Sequence, residues 1–220
     1  MSNILSLDDS TDTRIVGQLG ARLAKTKLAG FRIARGFVVP IGKFVGYGLS
    51  NAILRKYDEL GLDKVIVRAS TLFDRVENDA LIQVDRDSLI DAVISIQQNS
   101  KFSYESSAII VQEYLDGEFC GRVFSENPYT DASDEILIEA KLWASSSIID
   151  DEDEVGMILV NKKDGTVSLE SNEEDDYLDT DQIQQLYRAA KKLEIALGHA
   201  VALDWGIVNG VLYILRVSPI

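Results

Sequence analysis

The chain has 220 residues, 46% of them hydrophobic and 26% charged, with a formal net charge of −14 at pH 7. This is the composition of a folded globular protein long enough to bury a sizeable core, and it excludes a disordered chain. An acidic surface of this kind repels nucleic acid and anionic membranes, so an anionic nucleotide needs a local basic pocket or Mg²⁺. The single cysteine, Cys120, excludes an internal disulfide and a thiolate metal cluster, and in an apolar run it reads as an inert buried thiol. The first residues lack the basic and apolar regions of a signal peptide, and no uncharged apolar run approaches membrane-spanning length. The expected location is cytoplasmic, with no nucleic-acid or membrane partner.

Residues 1–13 are polar and are expected to form a flexible N-terminus. Ile15, Leu19 and Leu23 recur every fourth residue, which predicts a helix over Arg14 to Leu28 that stops at Gly30. Gly17 and Gly20 lie in its first turn, where glycine lets phosphate approach free backbone N–H groups, although two glycines are equally the mark of a loose helix start. A helix is expected over Ser50 to Leu60, and a short strand over Val65 to Ala69. Arg68, at the end of that strand, has the fork of donors that suits an oxyanion, or it pairs with one of the many carboxylates. Leu81 to Val84 is apolar, and Asp85 can cap a helix with Leu89, Ile90, Val93 and Ile94 on one face. The first lobe is expected to end near residue 105.

Ser107 to Pro128 is the most informative stretch. Ala108 to Val111 reads as a buried strand, Gln112 to Leu115 leaves it, Asp116-Gly117 is a turn signal, and Glu118 to Phe124 resumes as a strand. Backbone groups at such a break can bond an adenine edge while a carboxylate holds a ribose; the plainer alternative is a two-strand corner with solvated polar residues. Ile136 to Ala140 is a further strand, the acidic run Asp150 to Glu154 a solvated loop, and Gly156 to Leu169 a hairpin across Lys162 to Gly165. A second acidic patch, Glu173 to Asp176, precedes the clearest helix. Its face carries Ile183, Leu186, Tyr187, Ala190, Leu193 and Leu197, with Asp179 or Asp181 as N-cap and Gly198 as the stop. His199 reads as a helix-end residue, not a catalytic one. Asn209-Gly210 joins the last two strands in a hairpin.

Several of these stretches match one family in order. Ile110 to Leu115 and Glu118 to Pro128 follow V-V-Q-R-M-V and E-V-S-G-V-M-F-T-x-N-P, Gly36 to Val39 follows P-G-F-V-V, and Arg68-Ala69-Ser70 follows V-R-S-S-A. Ile136 to Ala140 follows I-V-I-E-A, and Asp204-Trp205 with Val211 to Ile220 follows D-I-E-W and D-G-x-L-Y-I-L-Q-A-R-P-I. From residue 14 to 220 the chain thus resembles the ATP-binding, N-terminal domain of pyruvate phosphate dikinase and phosphoenolpyruvate synthase. The resemblance implies an α+β, ATP-grasp-like domain, with residues 14–105 and a strand-rich 106–220 forming two lobes around a nucleotide cleft. It implies ATP and Mg²⁺ as cofactors and phosphoryl transfer to a histidine on a separate phosphohistidine-domain partner. Implied nucleotide contacts are Gly17, Gly20, Arg68, Gln112, Glu113, Leu115, Glu118 and Arg216, with Arg68 as the catalytic residue and Asp204 and Glu139 as metal ligands. Backbone atoms of Glu113 and Leu115 are expected at the adenine edge, and Glu118 at the ribose or the phosphates.

The sequence also departs from the family. Gln18 and Leu19 stand where the helix start has a glycine and a phosphate-binding lysine, Ala144 to Ser147 lack the glycines of W-G-L-G-E, and the segment around Asp74 to Val84 is shortened. Arg216 replaces a glutamine and Ser218 an arginine; Arg216 either contacts phosphate or pairs with Asp204. The alternative reading is therefore a catalytically degenerate nucleotide-binding or scaffolding protein of the same fold.

Overall fold

A computed structural model describes residues 4–43, 46–73, 80–98, 105–130, 133–143, 155–171 and 178–220. Both acidic runs, the residues after Trp143 and most of the shortened segment lie outside these. The chain divides into two compact units, one of residues 1–28 and 34–115, the other of 29–33 and 116–220.

The first unit is a five-stranded antiparallel sheet in the order β1-β2-β5-β3-β4 among the described residues. Its strands are β1 (Leu5–Ser6), β2 (Gly36–Val39), β3 (Val65–Thr71), β4 (Ala80–Val84) and β5 (Ser107–Glu113). The β-branched run of β5 is buried on both faces of the sheet, which is why it reads as an apolar run and not as an alternation, whereas β3 buries Val65 and Val67 and leaves Ile66 and Arg68 between them half-buried. One face sends Phe37, Val65, Val67, Ile109 and Val111 into a core with α2 (Tyr47–Leu60) and α3 (Leu89–Gln98). The other face meets α1 (Thr13–Leu28), whose Leu23 and Ala24 are fully buried.

Within the stretch expected to be a flexible N-terminus, Leu5 pairs with Val38 and Ser6 with Phe37, with Ile4 and Leu7 buried beside them. The unit boundary falls at Leu115, because β5 completes the first sheet through β2 and β3.

The second unit is a six-stranded antiparallel sheet in the order β11-β10-β6-β7-β8-β9 among the described residues. Its strands are β6 (Phe119–Phe124), β7 (Glu135–Leu142), β8 (Gly156–Asn161), β9 (Val167–Ser171), β10 (Val201–Val208) and β11 (Val211–Pro219). One face packs Val123, Ile138, Leu203 and Trp205 against Leu186, Ala190 and Leu193 of α4 (Thr180–Leu197). Of the two N-cap candidates Asp179 takes the place, in a reciprocal capping box with Gln182, and Gly198 ends α4 as expected, in the left-handed region at φ 80°. His199 sits just beyond, its Nδ1 2.9 Å from the Ala200 carbonyl oxygen. Gly206 holds a different kind of place. A Cβ there would lie 2.2 Å from the Trp143 ring, so only glycine lets the tryptophan lie against β10.

Candidate functional site

In the first unit, motif residues distant in sequence converge on one face of the sheet. α1 is broken at Gly17, whose φ of 70° and ψ of 176° leave the helical region, and the helix restarts after it. Any side chain there meets backbone, since a Cβ would lie 2.0 Å from the Ser70 carbonyl oxygen. The Ser70 hydroxyl fastens the break, donating to the Val16 carbonyl at 2.7 Å and accepting from the Gly20 N–H at 3.0 Å. The Gly20 N–H is thus engaged by protein. Gln18 turns its carboxamide to the Leu72 carbonyl at 3.1 Å.

Arg68 lies two residues before Ser70 on the same face of β3, and its guanidinium donates to the Gln112 carboxamide oxygen on β5. Gln112 is 1% exposed and its amide reaches the Ala34 carbonyl at 3.4 Å.

At the end of β5, the Glu113 N–H donates to the Arg35 carbonyl at 2.7 Å, and the Glu113 carboxylate receives the Arg35 guanidinium at 2.5 and 2.9 Å. The Tyr114 N–H is taken by the Lys64 carbonyl at 2.8 Å. Leu115, beyond the sheet, makes no hydrogen bond among the described residues. Of the backbone groups expected at an adenine edge, the Glu113 donor is therefore engaged within the first unit.

The second unit presents a charged row on the sheet face opposite α4. Glu139, Arg122, Asp204 and Arg216 occupy facing positions on β7, β6, β10 and β11. Directly opposed residues of a ladder share one face, so the four side chains stand in line. Arg122 Nε donates to Asp204 at 2.7 Å, and Arg216 Nε approaches the other carboxylate oxygen at 3.9 Å. A bulge follows Asp204, which pairs with Arg216 while Trp205 pairs with Ile214, leaving Leu215 as the extra residue. Arg122 is the residue that sequence reasoning passed over. Its signal was a charge standing where the family motif has valine, inside an otherwise apolar run.

The electrostatics follow from this alternation of sign. Burial works against the charge of Arg122, but Asp204 beside it, with Glu139, more than offsets this and raises its pKa. Burial pushes the Glu139 carboxyl up; the Tyr129 hydroxyl, 3.0 Å away, and Arg122 pull it partly back, and Asp204 adds to the rise. Glu118 faces elsewhere. Its carboxylate accepts the Asn209 N–H at 3.0 and 3.1 Å, fixing the β10–β11 turn.

A Mg²⁺ ion needs several oxygen donors left free of cations. Asp204 is already held by two arginines, and Glu139 is biased toward its neutral form. Among the described residues no group of three histidine, cysteine or carboxylate side chains is placed to hold a metal. Among the described residues, Asp204 and Glu139 as they stand do not fit Mg²⁺.

No protein-family model matches the chain. Over 146 residues it is 23% identical to the uncharacterized phosphotransferase YvkC of Bacillus subtilis (strain 168), covering 56% of this chain and 18% of that protein. Solved structures share its architecture at low identity. A biotin carboxylase–ATP complex from Campylobacter jejuni gives a TM-score of 0.55 at 12% identity, over 90% of this chain and 39% of that one. D-alanine–D-alanine ligase from Bacillus anthracis complexed with ATP gives 0.51 at 14% identity, over 90% and 51%. The ADP complex of N5-carboxyaminoimidazole ribonucleotide synthetase gives 0.52 at 11% identity, over 93% and 45%.

The fold is ATP-grasp-like. It is α+β, as the motif order implies, and the chain spans about half or less of each of these proteins. At these identities the likeness speaks for the ATP-grasp-like fold alone. Among the described residues, no helix is long and apolar enough to cross a membrane.

Proposed function

We propose that this chain binds ATP as a phosphotransferase-type domain or subunit, similar to the nucleotide half of pyruvate phosphate dikinase and phosphoenolpyruvate synthase. In this reading the phosphoryl acceptor is a histidine on a separate partner protein. The observation that carries it is the convergence in the first unit: Arg68 on Gln112, two residues from the Ser70 hydroxyl that fastens the Gly17–Gly20 turn. A restarted helix and a guanidinium on one sheet face offer an anion a dipole end and fixed donors together. Arg68 faces the phosphates, and the Leu115 backbone meets the adenine edge.

The test compares ATP with adenosine on the native protein and on Arg68→Ala. Loss of a charge-assisted bond should weaken ATP by roughly 1.5–3 kcal/mol and leave adenosine within about 0.5 kcal/mol. Equal weakening of both ligands makes Arg68 a purely structural residue and overturns the assignment. Transfer is read separately, as label passing from γ-labelled ATP to an added phosphohistidine-domain protein.

One observation favours a second reading. Asp204 is the carboxylate that a metal-dependent enzyme of this fold would need, and Arg122 holds it at 2.7 Å. In that reading the chain binds nucleotide and transfers nothing. ATP binding with no labelled partner at any Mg²⁺ concentration selects it.

A further inference from the structure

The second unit carries a cleft of about 410 Å³ on the α4 side of its sheet edge. Its floor is Val211, Leu212 and Ile214 of β11 with Phe31, and its rim holds Arg32, Gln185 and Arg188. The short segment 29–33 builds one wall by lying along β11, where the Ile214 N–H donates to the Arg32 carbonyl at 2.9 Å. Gln185, Arg188 and Lys192 fall at i, i+3 and i+7 on α4, so they share one helix face. Lys192 Nζ stands 5.6 Å from the centroid of the Phe31 ring.

The cations of this cleft are unusual for this protein. Acidic residues outnumber lysine and arginine 36 to 22. The other described arginines are engaged: Arg14, Arg35, Arg55, Arg86, Arg122 and Arg216 with carboxylates, Arg68 with Gln112, and Arg22 with a partner of its own. Among the described residues, the side chains of Arg32 and Arg188 have no ion-pair or hydrogen-bond partner, and no carboxylate lines the cleft. Two guanidiniums facing one concavity repel each other, and an anion relieves that repulsion while its apolar part covers the aliphatic floor. The volume is within the range of small-molecule sites.

We propose that this cleft is a ligand site of its own, on the sheet face opposite the charged row, for a small organic anion. The ligand class is a phosphate monoester or dicarboxylate joined to a flat or branched apolar group. The acidic group lies between Arg32 and Arg188 with Gln185 as a further donor, and the apolar group lies on Phe31 and Leu212.

The test uses phenyl phosphate as probe, with inorganic phosphate as the comparison, titrated into the isotope-labelled full chain and followed by amide NMR. Saturable shifts at Gln185, Arg188, Gly210 and Val211 are expected, with phenyl phosphate binding more tightly than phosphate. Arg32→Gln with Arg188→Gln should weaken phenyl phosphate roughly tenfold or more, since each removes a charge-assisted contact. Leu212→Ser should weaken phenyl phosphate and leave phosphate unchanged. Arg32 and Arg188 are exposed, so their variants keep the fold, which the unchanged remainder of the spectrum verifies. Shifts spread over other basic surfaces, or binding that survives the double variant, would overturn the proposal. A Leu212→Ser variant that loses both probes equally would remove the apolar half of the assignment.

Discussion

Replacing Arg122 by glutamine tests the charged row most sharply. The Asp204 side chain is 7% exposed and that of Arg122 29%, so their 2.7 Å pair is far from a surface ion pair. Breaking a fully buried pair costs about 3–5 kcal/mol, mostly from the charge left behind, against about 0–1 kcal/mol for an exposed one. Arg216 remains 3.9 Å from the same carboxylate and takes over part of the compensation. The working value for Arg122→Gln is therefore about 2 kcal/mol of destabilisation. Asp204→Asn leaves Arg122 with Glu139 as its remaining acidic neighbour and should cost a similar amount. The double variant should cost less than the sum of the two, by roughly 1–2 kcal/mol of coupling. Urea denaturation followed by circular dichroism measures all four corners of the cycle. Coupling below about 0.3 kcal/mol would mean that the pair contributes nothing beyond its separate members.

Glu139→Gln should flatten part of the pH dependence of stability. Burial raises the folded pKa of Glu139 above its ordinary 4.5, so between those two values the folded state binds more protons than the unfolded state. Stability from this group is complete below about 4.5 and is lost as pH rises through the folded value. The variant minus native difference, measured from pH 4 to 7, should therefore grow in the variant's favour; a difference that stays flat contradicts the burial argument. Gly17→Ala should be severely destabilising, because φ is positive and the new Cβ would meet the Ser70 carbonyl at 2.0 Å. Gly48→Ala, in α2 with no heavy atom within 4 Å of the added Cβ, should be stabilising by about 0.5–1 kcal/mol. Thermal melts distinguish the two, and equal effects would mean that the break in α1 is not needed.

Much of the fold was legible in the residues because local signals agreed with each other. Asp179, Gly198 and Asn209-Gly210 each marked an element end that the structure keeps. The motif order carried the ATP-grasp-like fold where no single motif would have done so. What was not legible depended on long-range pairing. Leu5 and Leu7 are too few to signal a strand until β2 is there to receive them. The Ala29–Ile33 segment has no pattern of its own, and its place in the second unit is set by a backbone bond to β11 and by Ala29 and Phe31 packing on that unit's core. The Arg216–Asp204 pairing was readable from the hairpin register. Arg122 was not, since its partner lies 82 positions away on a strand whose neighbour the sequence does not name.

Calorimetry of ATP binding with and without Mg²⁺ tests the central claim most directly. With Asp204 held by Arg122 and Arg216, the native protein should bind ATP, and removing Mg²⁺ should change the affinity less than about threefold, or 0.7 kcal/mol. Arg122→Val together with Arg216→Gln frees the carboxylate, and in that variant binding should become Mg²⁺-dependent. No binding at millimolar ATP, or native binding that vanishes without Mg²⁺, would contradict the account.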